Sequence, residues 1–291
     1  MLDIISVGPG EAVLLTDDAK QAIDRADAVW RAARHAVLVP PEKARPLSPL
    51  EGAIEQMRLS SDAGQSAAVL VSGDAGLYSL LEMLKRKIGG EYLRVHPGVS
   101  ALQLFAARLG VSWQDAKILS AHGRALSESA LCHAVRTHRQ TFCFLDAAHN
   151  PAWVRESLNL GGLENVRLFV GERLSYPDER TEAYDPDATY DLLCMAYIEN
   201  DAPESGLPPV GLSDEAFIRG KTPMTKRDVR ALVVSALHLK PNGVVWDIGA
   251  GTGSVSVECA RQCPLGEVYA VEMKDEALDL IRRNAERFRS E

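Results

Sequence analysis

Along the first two thirds of the chain, short apolar runs alternate with stretches whose apolar residues recur at helical spacing. The runs Asp3–Val7, Ala36–Val39, Ala67–Ser72, Leu93–Val95, Lys117–Ser120, Thr141–Leu145, Arg167–Val170 and Leu192–Ile198 predict strands. Amphipathic stretches at Asp17–Ala26, Leu77–Lys87 and Ser100–Leu109 predict helices between them. Strands that alternate with helices imply an α/β fold with a largely parallel sheet. Residues 199–213, ENDAPESGLPPVGLS, break the pattern: they are rich in Pro, Gly and acidic residues and lack apolar periodicity, as a linker does. The pattern then restarts with a short segment at Asp214–Phe217, a helix at Thr225–Leu239 and a strand at Gly243–Ile248. A helix from Ser254, a strand at Glu267–Glu272 and a helix at Asp275–Phe288 follow. The expected organisation is a domain over 1–200, a linker over 201–213 and a second segment over 214–291. No sequence repeat relates the two halves.

Bulk properties narrow the classes. A length of 291 residues admits one large or two medium domains, and a hydrophobic fraction of 46% suffices for a full core. No apolar run approaches bilayer-spanning length, and the N-terminus MLDIISVGPG lacks the basic flank and apolar stretch of a signal peptide. The expectation is a cytoplasmic protein with no membrane partner. A net charge of −8 argues against a general nucleic-acid binder, yet permits an anionic small molecule in a locally positive cleft. The five cysteines are odd in number and form no CxxC pair, so neither a zinc site nor a disulfide framework is expected. Cys259 and Cys263, one helical turn apart, read as small buried side chains.

The candidate chemistry lies in the glycine loops. In the second half, Asp247-Ile-Gly249-Ala-Gly251-Thr-Gly253-Ser254 follows an apolar strand and opens a helix, and Glu272 closes the next strand. Glycines let the backbone turn sharply beside a ligand, the helix N-terminus offers free N–H groups, and a carboxylate at the next strand end suits ribose hydroxyls. A dinucleotide site uses similar parts, but its fingerprint is G-x-G-x-x-G, and here the third glycine comes one position early. An acid two positions before the loop suits a cationic methionine moiety better than a pyrophosphate. The string resembles motif I of the class I methyltransferases, which bind S-adenosylmethionine. A dinucleotide site and a plain strand–turn–helix remain the alternatives.

In the first half, three glycine-bearing loops each follow a predicted strand: Gly8-Pro9-Gly10, Ser72-Gly73-Asp74-Ala-Gly76-Leu-Tyr78 and His96-Pro97-Gly98-Val-Ser100-Ala101. Open α/β sheets bind ligands at the carboxyl ends of their strands. The three strings, in this order, resemble the tetrapyrrole (class III) methyltransferases over roughly residues 1–200. That resemblance implies cofactor contacts at Gly8, Gly10, Gly73, Asp74, Tyr78, Ser100 and Ala101. Ala75 departs from the pattern, since many relatives have Pro there.

The two methyltransferase types in this order resemble the two-domain precorrin methyltransferases. The stretch from Asp214 to Arg230 looks like the lead-in to their second glycine loop, with Thr225 approaching the cofactor. The resemblance implies methylation of an anionic tetrapyrrole at carbon 5 by the first domain. It implies methylation at carbon 15, with loss of the ring C acetate carboxyl, by the second. It also implies a homo-oligomer.

Methyl transfer from a sulfonium needs two positioned partners and no covalent nucleophile or metal. No Ser/His/Asp or zinc constellation stands out, and no catalytic residue is assigned. Two basic clusters, Lys221, Lys226, Arg227 and Arg230 in one and Arg124, Arg136 and Arg139 in the other, are candidates for the substrate carboxylates, or else solvated helix faces. Ser120-Ala-His122-Gly123-Arg124 could meet an anion or be a solvated loop, and Gly171-Glu172-Arg173 reads as a turn with a surface ion pair. The second segment holds two predicted strands where a full class I sheet has more. The first domain is therefore expected to work and the second to be incomplete, with half a sheet exposing an edge and an apolar face. Two rival readings are a binding protein without turnover and an NAD-dependent oxidoreductase.

Overall fold

The computed structural model describes residues 1–204, 206 and 208–290. The chain runs β1 (Leu2–Ser6), α1 (Asp17–Arg25), β2 (Ala28–Arg31), β3 (Ala44–Pro46), α2 (Leu50–Asp62), β4 (Ala67–Val71), α3 (Leu81–Ile88), β5 (Leu93–His96), α4 (Ala101–Leu109), β6 (Lys117–Ser120), α5 (Glu128–Thr137), β7 (Gln140–Phe144), α6 (Pro151–Leu160), β8 (Arg167–Glu172), β9 (Arg180–Ala183) and β10 (Cys194–Glu199). It continues with α7 (Arg227–Ala236), β11 (Val244–Ile248), α8 (Ser254–Gln262), β12 (Glu267–Val271) and α9 (Asp275–Phe288). Two compact units form. One comprises residues 1–122, 142–151 and 168–197, the other 123–141, 152–167 and 198–291.

The first unit begins with a sheet of order β3-β2-β4-β1-β5 whose neighbours all pair in parallel. Every residue of β1 and of β4 is buried, the pattern of parallel strands covered on both faces. Side chains alternate between the two faces. Leu2, Ile4 and Val69 pack with Trp30 and Met57, and Ile5, Val7 and Leu70 pack with Ala19 and Ile23 of α1. Thr16 caps α1 by accepting from the Ala19 amide at 3.1 Å. Asp3, the charged residue inside β1, is matched by His96 Nε2 at 3.0 Å. A second sheet has the order β6-β7-β10-β8-β9, with β9 antiparallel to β8. Against it Leu102, Phe105 and Ala106 of α4 pack with Phe142, Met195 and Tyr197.

In the second unit β11 and β12 pair in parallel, Val244 opposite Glu267 through Ile248 opposite Val271, with α8 as the crossover. Arg230 of α7 is fully buried and bonds Glu258 of α8 at 2.9 Å. Glu258 also accepts from the amides of Gly211 and Leu212, both at 2.8 Å, which ties the segment ahead of α7 to α8. One face of the strand pair is exposed: Trp246 is 64% and Ile248 71% accessible, and Trp246 stacks on Tyr269 at 4.6 Å.

The α/β class and parallel pairing are those the pattern predicts. Individual elements differ. Ala36–Val39 is not a strand; residues Ala33–Leu38 form a 3-10 helix, and Val37 is 86% exposed. The strand of that region is β2, four residues long, hidden in the sequence by its brevity. The expected helix at Leu77 starts at Leu81, because residues 73–80 turn, with Tyr78 at a φ of 50°. The expected helix at Thr225–Leu239 spans Arg227–Ala236, and the expected strand at Leu192 starts at Cys194. The helices α2, α5 and α6 and the strands β3 and β9 lie outside the predicted set.

Candidate functional site

Strands β4, β1 and β5 are adjacent and parallel, so the loops that leave their carboxyl ends meet at one edge of the sheet. Gly8 and Gly73, at φ of 66° and 67°, exchange backbone hydrogen bonds: Gly8 N–H to Gly73 O at 3.2 Å and Gly73 N–H to Gly8 O at 2.7 Å. Positive φ favours glycine at both. Gly98 crosses so close to β1 that a Cβ there would lie 2.7 Å from the Ser6 carbonyl oxygen. Asp74 fastens the loops together, its Oδ1 accepting from the Gly76 amide at 2.8 Å and its Oδ2 from the Gly98 amide at 3.3 Å. Ser6 Oγ accepts from the Ala75 amide at 2.9 Å.

These loops border an open cleft of about 190 Å³. Gly73, Asp74, Leu77, Tyr78, Ser100 and Ala101 line it from the first sheet's loops, and Ser120, His122, Phe144, Leu145, Gly171, Arg173 and Met195 from the second sheet. The walls are thus mostly apolar with a few polar groups. A Cβ at Gly73 would meet nothing within 4 Å, so the space beside its backbone is open. Ser120 is 7% exposed, and its buried Oγ has no hydrogen-bond partner among the described residues.

Of the residues expected from sequence, Gly73, Asp74, Tyr78, Ser100 and Ala101 line this cleft. Gly8 and Gly10 do not; Pro9 between them does. Gly10 serves close approach instead, since a Cβ there would sit 2.6 Å from the Tyr176 hydroxyl, which donates to Pro9 O at 3.0 Å. Ser100 spends its hydroxyl as the cap of α4, accepting from the Gln103 amide at 3.2 Å in a capping box. Tyr78 donates its hydroxyl to Ile118 O at 2.7 Å and meets Phe144 edge-on at 5.9 Å.

Sequence reasoning missed the cleft residues Arg34 and Tyr176, and Arg173 differs from its reading. Glu172 pairs with Arg180 rather than with Arg173, which bonds Asp178 at 2.7 Å and Asp191 at 3.4 Å. Arg34 directs Nε and Nη2 to Ser72 Oγ at 3.1 and 2.5 Å, and Ser72 Oγ lies 3.1 Å from His35 Nε2. His35 is completely buried, and burial, with the charges of Arg34 and Arg31, lowers its pKa to about 4. Burial pushes the cleft thiol of Cys194 up to about 12, so it stays protonated and unreactive near neutrality.

The second glycine loop is also built. Gly249, Gly251 and Gly253 have φ of 82°, 57° and 75°. Asp247 Oδ2 accepts from Ser256 Oγ at 2.6 Å. Glu272 accepts from the amides of Met273 at 2.8 Å, Gly251 at 3.0 Å and Lys274 at 3.2 Å, and these backbone bonds hold its carboxyl below the usual range. A Cβ at Gly249 would meet nothing within 4 Å, whereas one at Gly251 would press on Pro223 O at 3.3 Å, which brings the 222–225 segment to the loop. Thr225 O accepts from Arg230 Nη1 at 2.7 Å. Ser254 opens α8 and is 2% exposed.

The basic clusters are largely structural. Arg230 bonds Glu258, Asp214 and the carbonyls of Thr225 and Leu212, and stacks over Phe217 at 4.6 Å. It is neither a solvated residue nor a substrate receptor. Arg227 donates to Gly211 O at 3.0 Å, Lys226 lies 3.7 Å from Asp214, Arg136 donates to Gly161 O at 2.6 Å, and Arg139 lies 3.8 Å from Asp201. None of these, nor Arg124 or Lys221, lines the cleft.

Comparison with known proteins agrees with this architecture. Residues 1–185 match the model of the tetrapyrrole (corrin/porphyrin) methylases and residues 215–291 that of a precorrin methyltransferase domain. A precorrin-6Y C(5,15)-methyltransferase [decarboxylating] of Sinorhizobium sp is 31% identical over 301 residues, covering 99% of this chain and 71% of the relative. A probable cobalt-precorrin-6B C(15)-methyltransferase (decarboxylating) of Pyrobaculum calidifontis is 51% identical over 80 residues, covering 27% of this chain and 41% of the relative. A solved uroporphyrin-III C-methyl transferase from Thermus thermophilus, complexed with S-adenyl homocysteine, shares the fold at a TM-score of 0.55 and 17% identity, covering 68% of this chain and 96% of that one. The chain belongs to the tetrapyrrole (corrin/porphyrin) methylases, in the branch that joins such a domain to a precorrin methyltransferase domain.

Proposed function

We propose that this chain binds S-adenosylmethionine in the cleft and methylates carbon 5 of a precorrin-type tetrapyrrole. The convergence of three glycine-bearing loops on one mostly apolar cleft, with Gly73, Asp74, Tyr78, Ser100 and Ala101 on its wall, carries the reading. S-adenosylmethionine supplies an electrophilic methyl group on a sulfonium. The chain's task is to hold donor and acceptor carbon in line and to keep water away. The open backbone at Gly73 and the unpartnered Ser120 hydroxyl suit a flat, polar-edged cofactor. Apolar Leu77, Phe144, Leu145 and Met195 suit exclusion of water. The second loop, Asp247 to Ser254 with Glu272 and Thr225, is the proposed donor site for methylation at carbon 15 with decarboxylation of the ring C acetate, acting from a domain that starts after the 201–213 linker.

No described helix is long and apolar enough to cross a membrane, and the proposed setting is the cytoplasm. The exposed face of Trp246, Ile248 and Tyr269 supports self-association. Light scattering that shows a monomer across a wide concentration range would refute it. The function is tested by mass spectrometry of a precorrin substrate incubated with the 291-residue chain and S-adenosylmethionine. A product heavier by one methyl group at carbon 5 supports the cleft reading, and a second methyl with loss of carbon dioxide supports the second site. An unmodified tetrapyrrole overturns both.

A further inference from the structure

We propose that Arg34 is the cleft's receptor for a carboxylate, with Ser72 and His35 as residues that position its guanidinium; this rests on reading the cleft as the methyl-transfer site. Arg34 is exposed and lines the cleft. The cleft's other arginine, Arg173, is by contrast neutralised by Asp178 and Asp191. Among the described residues Arg34 bonds only the neutral Ser72. A cation held at a ligand cleft without a protein counter-ion is suited to an anionic ligand.

The support beneath it is specific. A hydroxyl has two acceptor sites and one proton. Arg34 Nε and Nη2 occupy both acceptor sites of Ser72 Oγ, so the Ser72 proton goes to His35 Nε2 at 3.1 Å. His35 must then present a bare Nε2, which makes it the neutral ring with its proton on Nδ1. Complete burial and the neighbouring charges of Arg31 and Arg34 favour the neutral ring. The chain from buried imidazole to hydroxyl to guanidinium fixes one edge of the Arg34 fork. Nη1 and the second Nη2 proton remain for a ligand, the geometry that grips a carboxylate through two parallel bonds.

Two sources could supply the carboxylate: the amino-acid end of the methyl donor or a side chain of the tetrapyrrole. Calorimetry with S-adenosylhomocysteine and with 5′-methylthioadenosine, which lacks that carboxylate, separates them when combined with KM and kcat for the tetrapyrrole. If the donor is gripped, Arg34→Gln weakens S-adenosylhomocysteine binding by about 10- to 100-fold and leaves methylthioadenosine unchanged. If the tetrapyrrole is gripped, donor affinity holds and KM rises by about that factor with kcat retained. Arg34→Lys shows a smaller loss, because it keeps the charge without the fork. Ser72→Ala reproduces part of the defect and Ser72→Thr restores function. Unchanged donor affinity and unchanged KM in Arg34→Gln overturn the proposal, as does equal weakening of both nucleosides. A wild-type chain that transfers no methyl group overturns the functional reading instead, and calorimetric titration of the tetrapyrrole into wild type and Arg34→Gln then takes the place of KM in deciding the role of Arg34.

Discussion

His35, bonded to the cleft residue Ser72, makes the fold sensitive to acid. Its pKa is 6.5 when free and about 4 in the folded chain. The folded value is the lower one, so the unfolded chain takes up the proton first. The stabilisation from keeping the ring neutral is complete above pH 6.5, falls between 6.5 and 4, and is lost below that. The full loss is about 3 kcal/mol, and by pH 5 about 2 kcal/mol has gone. His35→Gln is the control, because a glutamine oxygen can accept the Ser72 proton yet does not titrate. Urea unfolding followed by circular dichroism at pH 7.5 and pH 5 measures the effect. Wild type should lose about 2 kcal/mol more than His35→Gln across that interval, while carboxylates common to both cancel. Parallel losses in the two proteins would refute the buried neutral imidazole and the hydrogen-bond chain built on it.

Other perturbations test other parts. Asp74→Ala removes the acceptor for the Gly76 and Gly98 amides; calorimetry should show weaker S-adenosylhomocysteine binding, and hydrogen exchange should show a less protected Gly98 amide. Gly171→Ala places a Cβ 2.6 Å from the Phe105 ring and should cost about 1–3 kcal/mol of stability in a denaturant titration. Arg230→Ala strands Glu258, which is 1% exposed, and should cost about 3–5 kcal/mol in the same titration.

What the sequence made legible follows from how local each signal is. Loops after β1, β4 and β5 could be found because Gly, Pro and Asp mark turns wherever they occur, and apolar runs before them mark strand ends. That the three loops share one edge depends on the order β4-β1-β5, a long-range fact that no local pattern contains. Arg34 and His35 were lost for a related reason. The apolar run Ala36–Val39 looks like a strand but forms part of a 3-10 helix and the residue after it, with Val37 exposed and Leu38 and Val39 buried. With β2 at Ala28–Arg31, Arg34 would have fallen just past a strand end, where ligand-binding residues are sought. Ser100 illustrates a double meaning: S-x-x-Q before an apolar helix is both a capping box and part of the motif suggesting cofactor contact. Arg230 shows the limit of reading charge clusters, since one member is the most buried cation of its unit and its neighbours are exposed.

The loops after β4 and β5 are the proposed holders of the methyl donor. Hydrogen-exchange mass spectrometry of the whole chain, with and without saturating S-adenosylhomocysteine, tests it residue by residue. Exchange should slow over residues 72–78 and 97–102. Binding without protection in either loop would contradict the assignment of the cleft.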